Sequence, residues 1–231
     1  MVELAGRHTR YGYRFIWALL RKEGWRIGKS RMERLWRREG LRVPPKQQKR
    51  KRLSGGDGSC SRLQAQYPNH VWAYDFMFDR TEDGRRLKFL NIVDEFSKES
   101  LSIDVARRLR TDDVQDQLAF LFVTRSVPEF IRSDNGSEFA NNLIKEWLSN
   151  VGVKTLFIEP GAPWENAYIE SFNGIMRDEL LNRELFTSLQ EAVVVTEGWR
   201  RGYNKDRPHS SLDYLSPQEA LEKWKKEATL T

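Results

Sequence analysis

Apolar positions divide the chain into stretches of different period. Between residues 9 and 40 they recur three and four apart: Ile16, Leu19 and Leu20, then Met32, Leu35 and Trp36. That spacing predicts two helices joined by a short turn. Gly24 is expected to stop the first and Gly40 the second, while Ser30 with Glu33 three residues on predicts a capping box for the second. From Val71 the pattern changes to short apolar runs, VWAYDFMFD, LKFLNIVDEF and LSIDVA, with a polar turn at Glu82-Asp83-Gly84 between the first two. Such runs predict a three-stranded antiparallel meander. Thr111-Asp112-Asp113 opens a helix packed through Val114, Leu118, Leu121 and Phe122 to about Thr124, and Pro128 ends it. A short strand, EFIRS, then a helix carrying Phe139, Leu143, Trp147 and Leu148, then a strand, VKTLFIE, alternate as in an α/β layer. After the Pro- and Gly-containing loop EPGAPWENA, a long helix is expected from about Trp164 toward Asn182. LQEAVVVTEGWRRGYN and PQEALEKWKKE complete the helical C-terminal part, the latter opened by Ser216-Pro217-x-Glu219.

Composition narrows the class. Of 231 residues, 39% are hydrophobic and 31% charged, and no apolar run nears the roughly 20 residues of a membrane-spanning helix. The first residues, MVELAGRHTR, lack the pattern of a secretory signal, and a single Cys60 builds no disulfide framework, which points to a soluble protein of the bacterial cytoplasm. His8, His70, His209 and Cys60 are scattered too widely for zinc, so any metal is expected to be held by oxygen.

The net charge of +6 hides a division. Residues 1–52 carry 17 basic and 4 acidic side chains, net +13; the remainder carries 22 basic and 29 acidic, net −7. On the second helix Arg31, Arg34, Arg37 and Arg38 lie opposite the apolar stripe, so one face packs and the other is available for nucleic-acid phosphates, the alternative being a solvated basic face. After Pro44-Pro45, KQQKRKR and LSGGDGSCS read as a connector. The expected organisation is a basic helix-turn-helix-like DNA-binding domain over residues 1–45 and a linker over 46–68. An α/β core over 69–183 and a helical extension over 184–231 follow. The segment from Gly24 to Ser30 resembles a phosphate-binding loop with one residue too few between its glycines, and it follows a helix rather than a strand, so ATP is not implied.

Three acids stand where structure alone rarely puts an acid. Asp75 lies inside an apolar strand, on the same face as Ala73 and Met77. Asp134 ends the strand FIRS, directly before Asn-Gly. Glu170 lies on the helix after the proline-containing loop, with Asn173 and Arg177 three and seven residues on, along one helical face. Strand ends and an adjoining helix can converge, and carboxylates brought together repel unless a hard cation such as Mg²⁺ joins them. The alternatives are a turn residue at Asp134, a solvated helix acid at Glu170 and a hydrogen-bonded edge residue at Asp75.

The words WAYDFMFD, IRSDNGSEF and IEPGAPWENAYIESFNGIMRDEL, with YGYR and KSRMERLWRREGL before them and YNKDRPHSSLDYLSPQEAL after, resemble the second-reading-frame transposases of bacterial insertion sequences. These belong to the DDE integrase-core superfamily. Thirty-five residues separate Asp134 from Glu170, the spacing of that group. The resemblance runs from about Tyr11 to Leu221. It implies a ribonuclease H-like α/β core with Asp75 on the first strand, Asp134 after the fourth and Glu170 on a helix. It also implies two Mg²⁺ ions, for which Mn²⁺ can substitute, bridged by Asp75 and completed by Asp134 and Glu170. Water would cleave the element's ends and the freed 3′-hydroxyl would join them to target DNA. Arg177, together with Asn173, is expected at DNA beside the chemistry.

Phe15, Ser137 and Ala167 depart from the residues usual in the family, and none is a carboxylate. The chain begins about ten residues before YGYR, where relatives usually carry more helix or a fusion to a first-frame product. A first-frame partner or fusion is therefore expected, and the resemblance implies a homo-oligomer joining two inverted-repeat ends and a nucleoid-associated location. His209, in RPHSS, is expected to be structural or to touch the DNA backbone, and Trp164 to guide DNA or to plug the loop. A nuclease of the same fold, cutting without joining, and a noncatalytic DNA-binding repressor are the alternatives.

Overall fold

The computed structural model describes residues 1–44, 63–133, 142–157 and 166–229. Three helices come first: α1 (Val2–Arg7), α2 (Tyr13–Lys22) and α3 (Lys29–Arg38). Ile16, Leu20, Met32 and Trp36 bury the shared face together with Ala5 and Tyr11, and the Trp17 indole donates to the Ile27 carbonyl at 2.7 Å to fix the turn. Gly24 and Gly40 stop their helices at positive φ, +90° and +65°. Two details differ from the sequence reading. α1 was not expected, its six residues being too short to show a period. The box at Ser30 does not form, because the N-cap of α3 lies two residues earlier, on extended Gly28, which places Ser30 inside the helix, while Glu33 pairs instead with Arg37 at 2.6 Å.

The core is a five-stranded sheet ordered β3-β2-β1-β4-β5. β1 (Val71–Arg80), β2 (Arg86–Asp94) and β3 (Ser100–Ala106) form the antiparallel meander. β4 (Phe130–Ser133) runs parallel to β1, and β5 (Lys154–Phe157) parallel to β4. Alternation along the strands divides the side chains between two faces. Trp72, Tyr74, Leu90 and Ile92 pack on α4 (Thr111–Thr124) and α5 (Asn142–Asn150) through Val114, Leu118, Leu121, Ile144 and Leu148. Ala73, Met77, Phe89 and Val93 pack on α6 (Ala167–Met176) and α7 (Leu189–Lys205) through Ile169, Phe172, Met176 and Tyr203. This is the α/β, ribonuclease H-like arrangement that the resemblance implies.

The edge strand β3 is covered by α7, where Asn204 exchanges two 2.8 Å hydrogen bonds with the Ser100 backbone as a neighbouring strand would. α8 (Pro217–Thr229) opens on the predicted box: Ser216 N–H donates to Glu219 at 2.7 Å and Glu219 N–H to Ser216 Oγ at 3.3 Å. The long helix expected to reach Asn182 is α only to Met176, and Arg177–Leu181 form one π turn. Its expected start at Trp164 lies outside the described residues. Among the described residues no helix is long and apolar enough to cross a membrane.

The N-terminal helices dock on the C-terminal part. Buried Arg207 grips Glu179 of the π turn through Nε (3.0 and 2.9 Å) and Nη2 (2.7 Å), with the rings of Phe15, Tyr203 and Tyr11 at 5.2–5.8 Å from its guanidinium. Arg10 pairs with Asp178 of the same turn, and Lys22 with Glu219 at 2.5 Å. Phe15 thus packs on Arg207 and edge-on to Tyr214. His209 is buried against the Tyr203 ring and is pushed down to about 3, by burial first and the Arg207 cation second.

Candidate active site

Asp75 occupies the fifth position of β1, the central strand, opposite Asn91 of β2 and two residues beyond the last β1–β4 pair, Ala73–Arg132. Alternation turns it to the α6 face, as its neighbours Ala73 and Met77 require. Its carboxylate is half-buried and held at both oxygens. Oδ1 accepts the Phe76 backbone N–H at 2.8 Å, and Oδ2 accepts the Asn173 side-chain amide at 2.7 Å.

Glu170 is exposed in the first turn of α6, where the positive end of the helix dipole favours an acid. It precedes Asn173 by three residues, one turn along the same face. The Asn173–Asp75 bond therefore lays that face over the central strand. Arg177, four residues further, bends back to β1: Nη2 donates to the Phe78 carbonyl at 2.8 Å and Nη1 lies 3.7 Å from Asp79 Oδ2. Thus Asp75, Asn173 and Arg177 come together on β1, with Glu170 on the same helix face.

Asp134 lies outside the described residues. The strand leading to it, β4, is anchored by Arg132, buried against Glu95 at 3.0 Å and donating to the Leu63 carbonyl at 2.9 Å. Among the described residues no three His, Cys, Asp or Glu side chains form a cluster able to hold a metal. Arg31, Arg34, Arg37 and Arg38 are all exposed on the outer face of α3, apart from this group; Arg37 pairs with Glu33 and Arg38 lies 3.7 Å from Glu39.

Residues 65–163 and 151–217 match two integrase core domain families, and residues 2–50 match an HTH-like domain. An uncharacterized 31.7 kDa protein of insertion element IS407 from Burkholderia multivorans is 40% identical over 220 residues, covering 95% of this chain and 78% of that protein. The chain belongs to the integrase-core transposases of insertion sequences. A 39.2 kDa protein of IS476 from Xanthomonas euvesicatoria is 41% identical over 94% of this chain, which spans 62% of that relative's length. The transposase of IS904 from Lactococcus lactis is 28% identical, covering 91% of this chain and 87% of the relative. Among solved structures, the catalytic core domain of HTLV-2 integrase in complex with magnesium superimposes with TM-score 0.55 at 18% identity, covering 68% of this chain and 99% of that one. A chain of the simian T-cell lymphotropic virus intasome with PP2A regulatory subunit B56 gamma gives TM-score 0.57 at 16% identity, over 69% and 56%.

In this transposase one residue escaped the sequence reading. Asn91 is fully buried on β2, directly opposite Asp75 in the strand register, and its Nδ2 donates to Asn173 Oδ1 at 2.7 Å. The signal was present as a lone amide inside the apolar run LKFLNIVDEF, but only the register places it beside Asp75.

Proposed function

We propose that the chain cleaves the ends of its insertion sequence and joins them to target DNA, with Asp75, Asp134 and Glu170 as the catalytic carboxylates. The Asn173–Asp75 hydrogen bond carries this reading, because it sets the helix face that bears Glu170 against the carboxylate of the central strand. The donor set is made of oxygen, as Mg²⁺ or Mn²⁺ requires, and two such ions held by Asp75, Asp134 and Glu170 would activate the attacking oxygen and neutralise the leaving one. The magnesium of the HTLV-2 integrase core supports that choice of cation.

The protein's own residues keep the site in place. Asn173 and the Phe76 amide hold the Asp75 carboxylate in one orientation. Glu170 stands exposed in the first turn of α6. Asp134 is the next residue in the chain after Ser133, the last residue of β4, the strand that Arg132 fixes. Arg177, still partly exposed beyond its contact with β1, is available to a DNA phosphate beside the chemistry. Water serves as nucleophile for end cleavage and the freed 3′-hydroxyl for strand transfer, with no covalent protein intermediate.

The four arginines of α3 neutralise phosphates of the inverted repeats, residues 1–45 acting as the DNA-binding domain and 69–183 as the catalytic core. Two ends are joined by a homo-oligomer, a reading the intasome neighbour supports, with a first-frame partner or fusion contributing to end recognition. In a test with Mg²⁺ and DNA bearing the inverted repeats, Asp75→Asn, Asp134→Asn and Glu170→Gln should each abolish cleaved and joined strands while DNA binding, read by fluorescence anisotropy, persists. Wild-type joining by any one variant removes that residue from the mechanism.

A further inference from the structure

We infer that Asn91 is a positioning residue for the catalytic site, orienting the Asp75 carboxylate through Asn173. The inference rests on the reading of Asp75 as a metal-holding carboxylate.

The chemistry of the three side chains fixes the direction of the relay. An ionised carboxylate only accepts, so the Asn173 group facing Asp75 Oδ2 is its NH₂. That turns Asn173 Oδ1 toward β2, where an acceptor needs a donor, and Asn91 Nδ2 supplies it at 2.7 Å. An apolar residue at 91 would let the Asn173 amide rotate. With Asn91 in place, rotation would set NH₂ against NH₂ and a carbonyl oxygen against the carboxylate, both repulsive.

Stability does not explain Asn91. Its side chain is fully buried among Phe89, Val93 and the apolar residues of α6, and its Oδ1 has no hydrogen-bond partner among the described residues. A buried acceptor left unpaired destabilises the fold, and a Leu or Val at this strand position would avoid that loss. What the amide provides is one donor, aimed at the side chain that holds Asp75. Groups hydrogen-bonded to a metal ligand, the place Asn173 holds, typically tune its metal affinity by about ten- to a hundred-fold, and Asn91 acts on that group.

The test titrates the full chain with Mn²⁺ and reads bound ion by electron paramagnetic resonance, independently of DNA cleavage. Asn91→Leu, Asn173→Ala, the double variant and Asp75→Asn are compared, with Asn91→Val carried alongside in case Leu overpacks. Asn91→Leu and Asn91→Val should melt no lower than wild type yet bind Mn²⁺ about ten-fold more weakly. The double variant should match Asn173→Ala alone, since Asn91 acts only through Asn173. Unchanged Mn²⁺ affinity in both Asn91 variants, or losses that add in the double variant, overturns the inference even where Asp75→Asn abolishes binding. Should Asp75→Asn leave Mn²⁺ binding intact, the assignment of Asp75 as a metal ligand falls, and this inference with it.

Discussion

Replacing Glu179 by Leu tests whether the π turn joins the two halves of the molecule. The side chains of Arg207 and Glu179 are 7% and 10% exposed, and the guanidinium reaches both carboxylate oxygens at 2.7–3.0 Å. Removing the acid strands a cation among Phe15, Tyr203 and Tyr11. Breaking a pair buried this deeply costs about 3–5 kcal/mol, because the remaining charge has lost both water and partner. For a chain of this size each kcal/mol lowers Tm by about 2–4 °C, so calorimetry of the full chain should show a fall of roughly 6–20 °C. Arg207→Met in the same background removes the stranded charge and should regain most of it, since apolar replacement of a buried pair is often neutral. A Glu179→Leu melt within about 2 °C of wild type, or a double variant no more stable than the single, would refute the reasoning.

Other outcomes follow from the same geometry. His209 is held at about 3 in the fold against 6.5 unfolded, so between those values only the unfolded chain takes up its proton. Its contribution is complete above pH 6.5 and is lost as pH falls toward 3, about 1.4 kcal/mol per unit, or roughly 2 kcal/mol between pH 7 and 5. A His209→Phe variant should show a shallower fall of Tm over pH 7 to 5, and an unchanged slope would contradict the assignment. Arg34→Ala, at an exposed position on α3, should weaken binding to all DNA sequences alike and reduce the slope of log K against log salt by about one, whereas a loss confined to one sequence would indicate base reading.

How far the sequence could be read depended on the range of each interaction. Strands β1 to β3, α4 and α8 declare themselves within a dozen residues, through alternation, an acidic first turn and the Ser216–Glu219 box. The face of Asp75 followed from Ala73 and Met77 for the same reason. Ser30–Glu33 has the same outward form as Ser216–Glu219, yet Gly28 displaced the cap by starting α3 at Lys29. The link from Asn91 to Asn173 spans 82 residues and that from Asn173 to Asp75 spans 98, distances at which no local pattern operates.

The π turn after α6 is likewise silent in RDELL, since its consequence lies in where it aims three successive charges. Arg177 is turned back to β1, whereas Asp178 meets Arg10 before α2 and Glu179 meets Arg207. An uninterrupted α-helix would have changed the angular spacing of those side chains, and π turns recur at functional sites for this kind of re-aiming. The helix bearing Glu170 is therefore tied at its far end both to the strand of Asp75 and to the helices that carry the α3 arginines. Two ion pairs thus give the N-terminal helices and the C-terminal part a short, charged connection to the helix that bears Glu170.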